Sequence, residues 1–241
     1  MLLKSRQVAW FSAGVSSAIA CFLQLKVNPN LEIFYIHVDN QHEDTMRFVK
    51  DCEIAFNKEI KILQSPYRNI KNVIKQFRYI NGVAGARCTQ VLKKRVRKEW
   101  ENDNSVQSYV WGFDCTKREL NRAERVKEYM PRYNHIFPLI QNNINKDQAH
   151  CMLKTLNIKR PKMYDLGYPN NNCVGCVKGG KGYWNKIRDD FPDTFKEMSK
   201  LEREIGASCI NGTYLDSLDM RAGNKLKIIL EECGEDCNYK L

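Results

Sequence analysis

The chain has 241 residues, of which 43% are hydrophobic, so it can bury a full core in one large domain or in a domain with a small appendage. No apolar run approaches the ~18 residues that a membrane-spanning helix requires, and we expect no contact with a membrane. The formal net charge of +11 favours polyanionic partners, and charge alone does not decide between a nucleotide and a nucleic acid.

The cysteine content and the N-terminal sequence together indicate the cellular compartment. The sequence MLLKSRQVAWF lacks both a long apolar segment and a small-residue cleavage site, so we expect no signal peptide. Ten cysteines without a secretion signal are typical of a reducing compartment, where metal binding or redox chemistry is favoured over structural disulfides. We therefore predict a cytoplasmic protein.

Strand-like and helix-like segments alternate along the chain. We predict strands at 6–11, 31–38, 59–63, 108–112 and 134–137. Helical patterns are found at 15–26, 44–57, 69–80, 89–101, 117–130, 146–156, 183–190 and 192–205. Near-continuous apolar strands that alternate with helices indicate an α/β fold, a parallel twisted sheet with helices on both faces. Beyond residue 160 the sequence is rich in Asn, Gly and Cys, so we predict an α/β domain at 1–160 and a helical, cysteine-containing extension at 161–241 packed on it.

The first predicted strand stops at a turn that is built almost entirely of small residues. These small residues are Ser12, Ala13, Gly14, Ser16 and Ser17. Backbone N–H groups and hydroxyls can close around an anion there, and the N-terminus of the next helix adds partial positive charge. Such turns also occur for packing alone. Two further segments, 39–45 and 112–118, follow the second and fourth strands, and ligands of parallel sheets bind at these carboxyl ends.

Basic residues are concentrated at 93–98 and 117–127. A solvated helix face is the usual explanation of such a cluster. Each cluster follows a candidate ligand-binding segment, however, and this placement favours a role in binding an anion.

Two cysteines, Cys173 and Cys176, lie three residues apart in a glycine-bearing loop. Their sulfurs can bind one metal ion or one cluster, because the turn directs both the same way. Candidates for the remaining ligands are Cys88, which follows the loop at 82–86, and the terminal Cys233 and Cys237. A redox dithiol at Cys173 and Cys176 is the alternative.

The other cysteines carry less information. Cys21, Cys52 and Cys151 lie in helical patterns and are predicted to be core residues. Cys115 and Cys209 are predicted neither as core residues nor as ligands.

Several of these segments resemble, in chain order, the motifs of one family. Residues 11–17, FSAGVSS, are similar to the PP-loop (SGGxDS or SGGVSS) of the adenine nucleotide alpha hydrolase-like superfamily. Residues 39–48, DNQHEDTMRF, are similar to the DTG-x-E-x-P-D-T-x-x-F segment of the phosphoadenosine phosphosulfate (PAPS) reductase family. Residues 85–93, GARCTQVLK, resemble its R-x-C-T-x-x-x-K segment, and residues 112–122 resemble its G-x-R-x-x-E-S-x-x-R loop.

The likeness continues beyond the predicted sheet. Pro-Leu-Ile at 138–140, the loop at 173–176, Trp184 and Phe-Pro at 191–192 look like the "PL-I … CxGC … W … P" tail of phage and bacterial members. The resemblance covers residues 6–206 in order, which is far more specific than any one motif.

The chain also departs from the family pattern. Ala13 replaces the second glycine of the PP-loop, Ser16 stands where aspartate is frequent, and residues 39–41 lack the glycine of DTG. Val177 replaces the proline that usually follows the cysteine loop. Authentic reductases end in ECGLH, whose cysteine attacks the sulfonucleotide, whereas residues 232–237 read ECGEDC.

The resemblance implies that an adenine nucleotide, ATP or PAPS, lies across the strand ends. The nucleotide-binding residues that it implies are Ser12, Ala13, Gly14, Val15, Ser16, Ser17, Val38, Asp39, Gly112 and Arg118. Arg87 and Lys93 would be catalytic cations that, with Arg118, neutralise phosphate or sulfate. Asp39 would hold the ribose or the Mg²⁺ of ATP, because a hard carboxylate suits that ion.

Two chemistries are compatible with this resemblance. In the first, ATP adenylates a carbonyl oxygen of a substrate and releases pyrophosphate, and a sulfur or nitrogen nucleophile then displaces AMP. In the second, the thiolate of Cys233 attacks the sulfur of a sulfonucleotide, and a thiol carrier completes the reduction. The net charge favours tRNA or DNA as the substrate of the first chemistry. The resemblance implies a sulfur-donor protein as a further partner. Assembly as a homodimer is left open.

The resemblance also implies an inorganic centre. Cluster-containing members hold a [4Fe-4S] cluster on cysteines, which here would be Cys88, Cys173 and Cys176, with Cys233 or Cys237 as the fourth ligand. Zinc on the same sulfurs is the alternative.

An inactive protein that binds a nucleotide or nucleic acid through a degenerate PP-loop is a third interpretation. It is supported by Ala13 and by the lost glycine at 39–41.

Overall fold

The computed structural model describes residues 6–83 and 85–224, together with residues 226 and 229. Five parallel strands form one sheet in the order β3-β2-β1-β4-β5. The strands are β1 Gln7–Phe11, β2 Glu32–His37, β3 Ile60–Gln64, β4 Ser108–Val110 and β5 Asn134–Ile136. The predicted α/β fold class is confirmed, and every strand lies within one or two residues of its predicted bounds.

Helices connect the strands and continue after them. Their bounds are α1 Val15–Val27, α2 Asp44–Phe56, α3 Ile70–Phe77, α4 Arg87–Thr89, a π-helix Gln90–Lys94, α5 Arg95–Asn102, α6 Lys117–Tyr129, α7 Pro138–Gln141, α8 Lys146–Thr155, α9 Lys162–Asp165, α10 Lys181–Asp190 and α11 Pro192–Ile205. Local sequence explains several ends: Asn145 and Gln148 form a capping box at α8, and Gly206 ends α11 in a left-handed conformation with φ 75°.

Two helical predictions are corrected in detail. The segment predicted as one helix at 89–101 is α4, a π-helical turn and α5 in succession, and hydrophobic periodicity does not distinguish a π turn from an α turn. The helix predicted at 69–80 ends at Phe77, because Arg78 adopts φ 48° and leaves the helical conformation. The short helices α7 and α9 carry too few residues to show a period.

Alternate side chains of the central strands enter cores on opposite faces of the sheet. Phe11, Ile33 and Tyr35 pack with α1, α2 and α8 on one face. Phe34 and Tyr109 pack with Trp10 and with Trp100 of α5 on the other. Both faces are therefore covered, as expected for a fully parallel sheet.

A second core lies against the first and is built largely from the C-terminal helices. Trp184 of α10 and Leu201 of α11 are buried there with Val73 of α3 and Leu92 of the π-helix. Tyr164, by contrast, belongs to the main core. The division of the chain at residue 160 remains a prediction. Within the part of the chain that the structure describes, no helix is both long and apolar enough to cross a bilayer.

Candidate nucleotide-binding site

The turn between β1 and α1 is organised around the hydroxyl of Ser17. Ser17 Oγ accepts hydrogen bonds from the backbone N–H groups of Ser12 at 3.2 Å and Gly14 at 3.3 Å, and from the Ser12 hydroxyl at 2.9 Å. It donates to the carbonyl of Gly14 at 2.8 Å. Hydroxyl oxygens thus occupy donors at a helix N-terminus, the position where phosphate oxygens bind in other proteins.

Ala13 adopts a backbone conformation that favours glycine. Its φ is 55°, and it is fully buried. The left-handed conformation costs a residue with a Cβ about 1–2 kcal/mol, so the alanine in this turn destabilises the fold by about that amount relative to glycine. The glycine-to-alanine departure noted in the sequence therefore leaves the turn with a left-handed backbone.

Asn171 connects the turn with two other segments of the chain. Its side-chain amide donates to the carbonyl of Ala13 at 2.7 Å and to the hydroxyl of Thr45 at 3.3 Å. Asn171 is 6% exposed and lies just before the cysteine loop, whereas Thr45 is in the first turn of α2. One buried side chain thereby holds together the turn, α2 and the start of the cysteine loop.

Gly112 brings the end of β4 against the start of α1. A Cβ built on Gly112 would lie 2.5 Å from Ser17 Cα and 2.8 Å from Ser17 N. These are backbone atoms that a side chain cannot displace easily, so only glycine fits. The structure therefore brings the segments at 12–17 and 112–118 into contact, as expected for strand ends.

Three residues near the turn were not found from sequence, because no motif marks them. Tyr164 Oη lies 3.4 Å from the backbone N of Val15 and accepts its hydrogen bond. Lys146 Nζ lies 5.8 Å from the centre of the Tyr164 ring and donates to Asn170 Oδ1 at 2.8 Å. Burial lowers the pKa of Lys146, while the nearby carboxylate of Asp114 opposes this effect. Asn171, described above, is the third of these residues.

The Asp39 carboxylate is already engaged by protein groups. It accepts hydrogen bonds from Gln64 Nε2 at 2.6 Å and from Arg68 Nε at 3.0 Å. Val38, which precedes it, is 1% exposed, so its side chain belongs to the core rather than to an open surface. A ribose or a metal ion at Asp39 would have to compete with Arg68.

The three predicted cations lie in different surroundings. Arg118 is exposed near Lys146, and its charge contributes to lowering the pKa of Lys146. Lys93, in the π-helix, is close enough to Cys173 to lower the pKa of that thiol against the effect of burial. Arg87 lies 4.6 Å from the centre of the Phe77 ring and donates to Gln90 at 3.1 Å. Arg118 thus lies near Lys146, whereas Lys93 lies near Cys173.

The three internal cysteines of the predicted centre interact electrostatically with one another. Burial, opposed by Lys93 and supported by nearby Cys176 and Cys88, raises the pKa of the Cys173 thiol to about 11. Burial is also the main cause of the raised pKa of Cys88. Among the described residues, no three His, Cys, Asp or Glu side chains are arranged as a ready metal site. Cys233 and Cys237 lie outside the described residues.

The helical cysteines behave as predicted. Cys21 and Cys52 are 2% and 0% exposed and belong to the main core, and Cys151 is 8% exposed. Burial raises the pKa of Cys21 to about 12, so its thiol stays protonated.

A parallel sheet with a small-residue turn at the start of α1 defines an α/β protein of the PP-loop class. The sequence profile of the phosphoadenosine phosphosulfate reductase domain matches residues 6–180, and the chain belongs to that family. The match includes the turn, the ends of β2 and β4, and the cysteine loop.

The similar proteins fall into two groups. Uncharacterized proteins MJ0066 and MJ0973 of Methanocaldococcus jannaschii are 23% and 20% identical over 84% and 81% of this chain, but these matches span only 42% and 47% of those proteins. The chain therefore matches less than half the length of either relative. A crystal structure of phosphoadenylyl-sulfate (PAPS) reductase from Candida auris, a phosphate complex, matches with a TM-score of 0.50 and 11% identity. It covers 71% of this chain and 82% of that one, and the likeness shows the fold.

Proposed function

We propose that the chain is an adenine-nucleotide-dependent enzyme of sulfur chemistry that adenylates its substrate with ATP. One observation carries the proposal: backbone N–H groups of Ser12, Gly14 and Val15 all point to hydroxyl oxygens, those of Ser17 and Tyr164. Phosphate oxygens can replace hydroxyl oxygens at such donors, and they gain the favourable field of the α1 N-terminus.

The charges around the turn support a polyphosphate ligand. Burial is the main cause of the lowered pKa of Lys146, and Arg118 lies close enough for its charge to add to that effect. A pyrophosphate group would add an anionic partner for Lys146 beside the nearby carboxylate of Asp114, and it would accept hydrogen bonds from Lys146 that are about twice as strong as neutral ones.

The proposed reaction has two steps. A carbonyl oxygen of the substrate attacks the α-phosphorus of ATP, the bond to the bridging oxygen breaks, and pyrophosphate leaves with the electron pair. A sulfur or nitrogen nucleophile then attacks the activated carbon, and AMP leaves with the carbon–oxygen bond electrons. The turn would hold the phosphates in line, and Lys146 would stabilise charge on the departing pyrophosphate.

Magnesium does not fit a resident site at Asp39, because the carboxylate is paired with Arg68 and Gln64. We assign no step to that ion. Mg²⁺ would arrive as part of the ATP complex.

We also propose an inorganic centre at Cys88, Cys173 and Cys176, as the family resemblance implies. Soft thiolates suit zinc and iron–sulfur clusters, and these three thiols interact although Cys88 is far from the other two in sequence. When bound, the centre would supply structural support or redox chemistry. Metal analysis of protein prepared without oxygen would separate [4Fe-4S] from zinc.

A nucleic-acid substrate is the partner that the surface charge favours. Exposed basic residues follow the β4 strand end on α6, namely Lys117, Arg118, Arg122 and Arg125. Binding of tRNA or DNA to this face would weaken steeply with salt, because counterions are released on binding.

Pyrophosphate release from ATP tests the proposal. We expect release that depends on an added tRNA or DNA substrate and that is lost in Lys146→Gln. Sulfite release from PAPS without pyrophosphate from ATP would instead support a reductase that uses Cys233. Binding of ATP without turnover of either nucleotide would support the inactive binding protein.

A further inference from the structure

Residues 160–171, the strap, contact the turn between β1 and α1 at two points. Tyr164 of α9 reaches the backbone N–H of Val15, and Asn171 reaches the carbonyl of Ala13. Both strap side chains are buried, at 3% and 6% exposure. The two contacts differ in kind, because Tyr164 accepts a hydrogen bond from the turn whereas Asn171 donates one to it.

The Tyr164 ring is held in place by contacts that do not involve its hydroxyl group. The ring belongs to the main core and packs edge-on against His150 of α8, with ring centres 4.7 Å apart. The helix that carries it is fixed to α2, since the backbone N–H of Lys162 donates to the Asp44 carboxylate at 2.8 Å. Removal of the hydroxyl alone would therefore leave the ring where it is.

The hydroxyl of Tyr164 fills the space beside the turn that a phosphate oxygen would need. A Cβ built on Gly14 would lie 3.3 Å from Tyr164 Oη and 3.5 Å from Ser12 Oγ. The N–H of Val15 points to the same Oη at 3.4 Å, which is longer than the usual N···O distance of about 2.9–3.0 Å. A phosphate oxygen that accepts this N–H must take the place of Oη, so the two oxygens cannot be bound there together.

We propose that Tyr164 sets the phosphate affinity of the turn: its hydroxyl competes with a phosphate oxygen for the N–H of Val15, and phosphate binds by displacing it. This inference rests on the nucleotide site under the proposed function. Ionised phosphate oxygens only accept hydrogen bonds, so they compete for a donor and leave the bond from Asn171 to the Ala13 carbonyl intact. The strap thus supports the turn through Asn171 and limits its affinity through Tyr164.

The balance between the two oxygens follows from their charges. A hydrogen bond from an N–H group to an ionised oxygen is about twice as strong as a neutral one, so phosphate can displace the hydroxyl. The displacement gives up a bond that the free protein already has, and this loss weakens phosphate binding. In Tyr164→Phe the buried N–H of Val15 loses that acceptor, so phosphate gains the whole of the new bond.

Calorimetric titration of ATP and of inorganic pyrophosphate into the wild type and Tyr164→Phe tests the inference. We expect both ligands to bind the variant about two- to tenfold more tightly, the factor that one net hydrogen bond corresponds to. Tyr168→Phe removes a buried hydroxyl from the second core and is the matched control, with wild-type affinity expected. A substitution that only damaged the fold would not raise the affinity.

The other outcomes separate the inference from the proposed function. Equal affinity in the wild type and Tyr164→Phe would overturn the inference and leave the nucleotide site standing. Weaker binding by Tyr164→Phe alone would also overturn it, because Tyr164 would then be a ligand of the phosphate. Absence of ATP and pyrophosphate binding in all three proteins would refute the nucleotide site and this inference with it.

Nuclear magnetic resonance of the wild type covers the case in which Tyr164→Phe fails to fold. The amide proton of Val15 is expected to move downfield on addition of pyrophosphate, because its acceptor changes from a neutral to a charged oxygen. The amide proton of Tyr168, in the second core, is the internal reference and is expected to stay in place. A Val15 resonance that does not move at saturating pyrophosphate would contradict the displacement of the Tyr164 hydroxyl.

Discussion

The side-chain amide of Asn171 donates a 2.7 Å hydrogen bond to the carbonyl oxygen of Ala13. This contact joins the segment before the cysteine loop to the turn that we propose for phosphate binding. Ala13, whose carbonyl accepts this bond, has a φ of 55°.

Asn171→Ala is expected to weaken ATP binding and to destabilise the fold. The substitution leaves the buried carbonyl of Ala13 without its donor, which costs about 1–3 kcal/mol. ATP affinity measured by calorimetry is expected to fall by about tenfold, since about 1.4 kcal/mol is a factor of ten. Asn172→Ala, at an exposed neighbour, is the control and is expected to change neither quantity. Equal affinity in both variants would show that the contact does not support the site.

Gly112→Ala is expected to abolish ATP binding. The new Cβ would meet Ser17 Cα at 2.5 Å, so the start of α1 must move and the donors of the turn lose their alignment. Gly180→Ala is a matched control, because a Cβ there meets nothing within 4 Å and the φ of −82° suits alanine. The ATP affinity of both variants is measured by titration. Wild-type affinity in a folded Gly112→Ala would mean that ATP binds elsewhere.

Lys146→Gln is expected to reduce ATP affinity by about tenfold to a hundredfold. A hydrogen bond to a charged group contributes about 1.5–3 kcal/mol, and the phosphates would lose that contact. Lys154→Gln, exposed on the same helix, is the control for a general effect of net charge. If the two variants weaken ATP binding equally, long-range charge rather than a contact with Lys146 explains the effect.

Asp44→Asn is expected to change how stability depends on pH. The hydrogen bond from Arg47 holds the pKa of the Asp44 carboxyl below its usual value of 3.8. A lowered folded-state pKa contributes stability above the unfolded value and loses it as the pH falls through the folded value. Between pH 5 and pH 3, the thermal midpoint of the wild type should therefore fall further than that of Asp44→Asn. Parallel curves for the two proteins would contradict this ion pair's role in acid stability.

The sheet could be predicted from sequence because its strands are apolar and its helices are periodic. The π-helix Gln90–Lys94 could not be predicted from sequence. A π turn has about one residue more than an α turn, and five residues are too few for this difference to appear in the hydrophobic period. The turn at residues 12–17 could be proposed as a phosphate site from sequence because glycine and serines occur together there in a short segment. Tyr164 and Asn171 were missed because they reach the turn from a distance of 149 and 158 residues along the chain.

The cysteine group shows the same limit of sequence reasoning. Cys173 and Cys176 are recognisable by their spacing, whereas Cys209 stands alone in sequence and is buried in the second core, where Glu202 accepts its backbone N–H. Chain order therefore suggested the terminal cysteines as partners.

The most direct test of the central claim is calorimetric titration of ATP into the wild type and Gly14→Val. Gly14 is the N-cap residue of α1, and a Cβ there would lie 3.3 Å from Tyr164 Oη, so the larger valine would close the turn to phosphate. We predict one ATP site per chain in the wild type and no measurable binding in a folded Gly14→Val. Equal ATP affinity in the two proteins would contradict phosphate binding at residues 12–17.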